Sequence, residues 1–115
     1  MIVMKFGGTS VGTADAMRLV ADAITKQTGS KIVVLSASAG ITDKLVNICN
    51  YLPEDLATAR TIYSEVEVQM LQISTELQLE ENSIIKVKTL LKELDELIYS
   101  VDLLEYISDN VANRI

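Results

Sequence analysis

An α/β fold with parallel strands is what this sequence predicts. Two short apolar runs, Ile2-Val3-Met4 and Lys31-Ile32-Val33-Val34-Leu35, are separated by a single helical pattern, and a small polar loop follows each of them. Strand, helix, strand at this spacing makes a right-handed βαβ unit, because a parallel neighbour needs a crossover long enough to hold a helix. Both loops then lie at the C-terminal edge of the strands, where open α/β sheets take up ligands. The predicted architecture is parallel strands with covering helices, followed by a long helical hairpin.

The first run breaks into Lys5-Phe6-Gly7-Gly8-Thr9-Ser10-Val11. Thr13 is the expected N-cap of the helix that follows, and Asp15 suits its first turn. Met17, Val20, Ala21 and Ile24 fall at i, i+3, i+4, i+7, and Gly29 is expected to close this helix as its C′ residue. Lys31–Leu35 is continuous and β-branched, the pattern of a strand buried on both faces. The loop Ser36-Ala37-Ser38-Ala39-Gly40-Ile41-Thr42-Asp43 ends where a second helix begins. Leu45, Ile48, Cys49 and Leu52 mark that helix, Pro53 stops it, and Cys49 is expected in the core.

Beyond Pro53 the pattern is purely helical. Ala59, Ile62, Tyr63, Val66, Met70, Ile73 and Leu77 form one stripe, and Glu80-Glu81-Asn82-Ser83 a polar break. Ile84, Val87, Leu91, Leu94, Ile98 and Val101 form a second stripe, so an antiparallel pair is expected. A last helical piece is expected from Leu103 to about Ile115, with Leu104, Ile107 and Val111 apolar. Two strands make a thin sheet for this much helix, so the chain is expected to be part of a larger domain.

Composition narrows the chemistry. At 115 residues and 49% hydrophobic, the chain is long enough for one modest domain with a core. Ten Lys and Arg against 16 Asp and Glu give a net charge of −6, which argues against a nucleic-acid surface. No apolar run approaches the roughly 18–20 residues of a membrane span, and the N-terminus lacks the pattern of a secretory signal. One cysteine and no histidine rule out an internal disulfide and His-dependent nucleophilic or metal chemistry, and fit a reducing cytoplasm.

Lysine, hydroxyls, carboxylates and backbone amides remain. The Gly7–Ser10 turn offers open N–H groups at the start of a helix, a natural cradle for phosphate, with Lys5 as a mobile positive charge beside it. It is not a Walker A loop, because there the lysine follows the last glycine, and it lacks the spaced glycines of a dinucleotide fingerprint. Phosphoryl transfer needs mainly positioning and charge neutralisation, which this set can supply. Lys5 would meet the charge on a transferred phosphoryl group. The amides of Gly7, Gly8 and Thr9 would hold phosphate oxygens, and the hydroxyls of Ser36, Ser38 and Thr42 the acceptor. The plain alternative is a pair of polar turns with an ordinary surface lysine.

Lys5-Phe6-Gly7-Gly8-Thr9-Ser10-Val11 resembles the N-terminal signature of aspartokinases, in the amino-acid kinase superfamily. Val34-Leu35-Ser36-Ala37-Ser38-Ala39-Gly40-Ile41-Thr42-Asp43 resembles that family's second motif, in the right order and at the right spacing. The resemblance implies the N-terminal portion of an amino-acid kinase (carbamate kinase-like) fold, with residues 1–115 as the substrate-binding lobe of the catalytic domain. It implies ATP-dependent phosphorylation of the β-carboxylate of L-aspartate, giving 4-phospho-L-aspartate and ADP, the first step toward lysine, threonine and methionine. By position, Lys5 matches the catalytic lysine, Gly7 and Gly8 the phosphate-loop glycines, and Ser36 and Thr42 the aspartate contacts. Phe6, Thr9 and Ser10 lie in the phosphate-binding signature. Magnesium would come with the nucleotide, with no protein metal ligand in this chain, and the whole enzyme would be a cytoplasmic homo-oligomer, commonly a dimer.

The family's next motif, a Gly-Glu pair that holds the substrate's amino group, does not occur. Ser108-Asp109-Asn110-Val111 resembles the approach to it, and Arg114 lies near that point without a counterpart in the motif. The nucleotide-binding half and the regulatory ACT domains are not in the sequence either, so the 115 residues are expected to be inactive alone. Two other readings stay open: a kinase of the same superfamily with another acceptor, and a non-catalytic module whose long helices form a dimer surface.

Overall fold

The structure, a computed structural model, describes residues 1–113, and the side chains of residues 1–109. Strand β1 spans Ile2–Phe6 and a 3-10 turn spans Gly8–Val11. Helix α1 spans Ala14–Lys26, strand β2 Lys31–Leu35 and helix α2 Ile41–Tyr51. Helix α3 runs Leu56–Glu76 and α4 Glu81–Asn113. The strands pair in parallel, with Ile2 opposite Lys31 and Phe6 opposite Leu35, so both following loops leave at the same edge.

The crossover helix is capped as expected: Thr13 Oγ1 accepts from the Ala16 amide at 3.1 Å. Its other end differs. Gln27 is the C-cap, and Gly29 (φ +84°) makes the left-handed turn two residues later. Lys31 Nζ takes over at that end, donating to the carbonyls of Ile24 (2.6 Å) and Gln27 (2.7 Å), where a cation meets the negative pole of the helix.

One crossover helix covers one sheet face. Met4, Phe6 and Val33 are half-buried on the face shared with Leu35, whereas Val3, Lys5, Ile32 and Val34 lie exposed on the other. The expectation that β2 is buried on both faces is therefore corrected: Ile32 and Val34 are each 46% exposed, because no second layer covers them among the described residues.

The core lies between the helices. Ile48 of α2 meets Ala59 and Tyr63 of α3 and Ile98 of α4, and Ile41 meets Val66 and Leu91 one layer away. As α3 residues fall from 66 to 59, their α4 partners rise from 91 to 98, the antiparallel packing expected. Tyr63 donates its hydroxyl hydrogen toward the Leu91 carbonyl (3.1 Å) and the Glu67 carboxylate (3.2 Å), and Arg60 pairs with Asp95. Two expectations are corrected here. Cys49 is exposed, because Ile41, Ile48 and Leu52 set the inward face of α2 and leave position 49 to its side. The separate helix from Leu103 is instead the continuation of α4, where no Gly or Pro interrupts residues 81–113. Within that piece Leu104 and Ile107 are exposed, the Val111 side chain is outside the described set, and Arg114 and Ile115 lie outside the described residues.

Candidate functional site

The site is the junction of the two loops at the C-terminal edge of the strands. Parallel pairing carries the register one residue past β2, where the Ser36 amide donates to the Phe6 carbonyl (3.1 Å). From there the loops are joined directly. The Ala39 amide donates to the Gly8 carbonyl at 3.1 Å, and Ser38 Oγ donates to the Val11 carbonyl at 2.8 Å.

This contact explains one of the glycines. A Cβ on Gly8 would sit 3.1 Å from the Ala37 carbonyl oxygen and 3.7 Å from the Ala39 backbone, so Gly8 is small because the other loop crosses it. Gly12 has the same reason, since its Cβ would come within 3.2 Å of the Ala39 Cβ. Gly7 differs: its φ is −77°, and nothing lies within 4 Å of where its Cβ would be. Space beside Gly7 is open to a ligand, and Gly7 alone among these keeps the argument that a bare backbone lets an anion approach.

The amides follow the 3-10 turn. Ser10 N–H donates to the Gly7 carbonyl (3.1 Å) and Gly12 N–H to that of Thr9 (3.4 Å), while the amides of Gly7, Gly8 and Thr9 have no backbone acceptor among the described residues. Lys5, Gly7, Thr9, Ser36 and Thr42 are exposed around this junction; Phe6, Gly8 and Ser10 are half-buried. Phe6 lines a shallow cavity together with Ser10 and with Ala16, Leu19 and Val20 of α1. Thr42 stands in the first turn of α2, after Gly40 turns the chain in the left-handed region (φ +82°). Of the acceptor hydroxyls the sequence pointed to, Ser38 is engaged within the fold, since its proton goes to the Val11 carbonyl.

Sequence reading missed three residues here. Gly12 and Ala39 form the weld between the loops, and Gln69, on α3, donates to the Ala39 carbonyl at 3.3 Å while accepting from Lys44 Nζ at 3.3 Å. Only the tertiary fold brings position 69 to this loop. Beside the loops, Val11, Met17, Val20, Ile24 and Leu35 line a largely apolar cavity of about 330 Å³ together with Ser36 and Ser38. No group of three or more His, Cys, Asp or Glu able to hold a metal occurs among the described residues, and none of the described helices is long and apolar enough to cross a membrane.

Comparison with known proteins bears on the family and the fold. Over 52 residues the chain is 50% identical to lysine-sensitive aspartokinase 3 of Escherichia coli (strain K12), a match covering 45% of this chain and 12% of that protein. It is 55% identical over 49 residues to an aspartokinase of Chlamydia pneumoniae, covering 43% of this chain and 11% of that one. The crystal structure of E. coli aspartokinase III in complex with aspartate and ADP (R-state) matches 90% of this chain and 23% of that chain, with a TM-score of 0.76 and 31% identity. The matched regions thus span a small share of these relatives' own length. The resemblance read from the two loops is borne out, as is the α/β fold. The model of the amino acid kinase family matches residues 1–102, and the chain belongs to that family.

Proposed function

We propose that residues 1–115 form the N-terminal, substrate-binding lobe of an aspartate kinase that converts ATP and L-aspartate to ADP and 4-phospho-L-aspartate, the first step toward lysine, threonine and methionine. The observation that carries this reading is the weld of the glycine turn to the Ser36–Thr42 loop through Ala39 and Gly8, with Lys5, Gly7, Ser36 and Thr42 exposed around it. A relative of the same fold crystallised with aspartate and ADP supports it.

In this reading a β-carboxylate oxygen of aspartate attacks the γ-phosphorus of ATP. The new P–O bond forms as the bond to the β,γ-bridging oxygen breaks, and ADP leaves with that electron pair. No protein nucleophile and no proton transfer to the acceptor are needed, because the attacking group is already an anion. Lys5 offsets the charge on the phosphoryl group in flight, the amides of Gly7, Gly8 and Thr9 hold phosphate oxygens, and Ser36 and Thr42 orient the aspartate. Phe6 and Ser10 support the turn from behind. Magnesium would come with the substrate nucleotide and would need no carboxylate cluster from this lobe. Work in the cytoplasm agrees with Cys49, which is exposed and free.

The test is titration of the isotope-labelled 115-residue chain, followed by amide NMR. Magnesium–ADP is expected to shift Gly7, Gly8, Thr9 and Ser10, and L-aspartate to shift Ser36 and Thr42. Silence at both loops, or equal shifts with L-asparagine, would sink the assignment. In the whole enzyme Lys5→Ala is expected to lower turnover about 100-fold or more; the chain by itself is expected to show none.

One observation favours a second role for the helices. Leu90, Leu97 and Leu104 repeat every seven residues on α4 and are 65%, 64% and 65% exposed. Val87 and Leu94 pack against the hairpin core, which leaves these three leucines as an apolar ridge on the outer side of α4, the kind of face a second helix covers. Self-association through this stripe makes a homo-oligomer with a second copy of the chain. Sedimentation of the wild type and of Leu97→Glu tests it: a wild-type monomer removes the role.

A further inference from the structure

Gln69 stands outside every motif, yet it touches the loop that carries the acceptor hydroxyls. Lys44 can only donate hydrogen bonds, so the Gln69 oxygen must be the atom that faces it, at 3.3 Å. That fixes the amide the other way round at its far end, where Nε2 donates to the Ala39 carbonyl at 3.3 Å. The same peptide region reaches the glycine turn, since the Ala39 amide donates to Gly8. Ala39 is thus held from both sides, by α3 through its carbonyl and by the phosphate turn through its amide. Glutamine is suited to this double task. Glutamate at 69 would satisfy Lys44 but turn an oxygen toward the Ala39 carbonyl, and an apolar residue would satisfy neither.

We propose that Gln69 is a positioning residue: by clamping Ala39 from α3 it sets the separation between the glycine turn and the Ser36 and Thr42 hydroxyls, and so tunes the grip on the amino-acid acceptor. The proposal rests on the reading of Ser36 and Thr42 as aspartate contacts. Lys44 has the supporting part of keeping the Gln69 amide in its orientation. The nucleotide side is held chiefly by β1 and the 3-10 turn and meets the clamp only through the Ala39–Gly8 bond, so the clamp bears less on it than on the acceptor loop.

The experiment compares wild type, Gln69→Glu, Gln69→Ala and Lys44→Met as 115-residue chains, by NMR titration with L-aspartate and separately with magnesium–ADP. Expected is an aspartate affinity lowered about tenfold in both Gln69 variants and less in Lys44→Met, consistent with one lost hydrogen bond. The magnesium–ADP midpoint should stay within about twofold, and the melting temperature should hold. An unchanged aspartate affinity in Gln69→Glu overturns the proposal; so does an equal loss of both ligands together with a lowered melting temperature, the mark of a merely structural residue. Should wild type fail to bind aspartate, the substrate reading falls, and hydrogen exchange at the Ala39 amide decides the clamp by itself. Exchange about tenfold faster in Gln69→Glu upholds it, and unchanged exchange overturns it.

Discussion

Ser38 Oγ donates to the Val11 carbonyl at 2.8 Å, joining the loop after one strand to the turn after the other. Neighbouring Ser36 is exposed, and in the proposed reading its hydroxyl contacts aspartate. The two serines therefore separate stability from binding. Ser38→Ala is expected to cost about 1 kcal/mol in urea unfolding. Ser36→Ala should stay within about 0.5 kcal/mol of wild type and weaken aspartate binding. The reverse pattern would show that the structural and ligand-facing hydroxyls have been exchanged.

Gly7 and Gly8 part in the same way. Gly8→Ala brings a Cβ against the Ala37 carbonyl, a backbone atom that cannot swing aside, and should destabilise by about 1–3 kcal/mol. Gly7→Ala meets open space at a φ any residue adopts, so its stability should match wild type or rise by up to about 1 kcal/mol. Its magnesium–ADP affinity should nevertheless fall. Thermal melts paired with nucleotide titration separate the two effects.

Packing of the helical hairpin rests on Ile98, which is 2% exposed among Ile48, Ala59 and Tyr63. Ile98→Ala should lose about 2–5 kcal/mol. Leu97→Ala, one position away on the exposed face, should change unfolding by less than about 0.5 kcal/mol in dilute solution. Equal losses in denaturant titrations would contradict the packing described.

Tyr63 makes the chain sensitive to alkali. Burial and the neighbouring Glu67 carboxylate push its hydroxyl above the ordinary value near 10. The folded state then binds more protons than the unfolded state above that pH, so the stability contribution is intact below pH 10 and is lost as pH rises through the folded value. Tyr63→Phe should flatten the fall in stability above pH 10, at a cost of about 1 kcal/mol at neutral pH. A slope unchanged by the substitution would assign the alkaline loss to other groups.

What the sequence disclosed was chemistry that acts locally. Thr13 caps its own helix, Lys5 ends a strand that runs directly into the glycine turn, and the stripes from Ala59 to Leu77 and Ile84 to Ile98 carry their own period. What stayed hidden depends on how elements meet. Gly8 and Gly12 are small because Ala39 crosses them, and Gln69 matters because α3 docks beside that loop. Cys49 falls outside the core by a difference of one residue in helical phase. The β-branched run Lys31–Leu35 has the composition of a doubly covered strand, but a single crossover helix covers only one side. The continuity of α4 was legible in principle, since its residues include no helix breaker.

Helix α4, at 33 residues, outruns α3, at 21, so part of it reaches past the end of its neighbour. By helical rise the excess is about 18 Å, and Leu103, Leu104, Tyr106 and Ile107 are exposed along it. Apolar side chains gathered on one stretch of helix are poorly served by water, so this overhang is adhesive surface, ready to take up another apolar face.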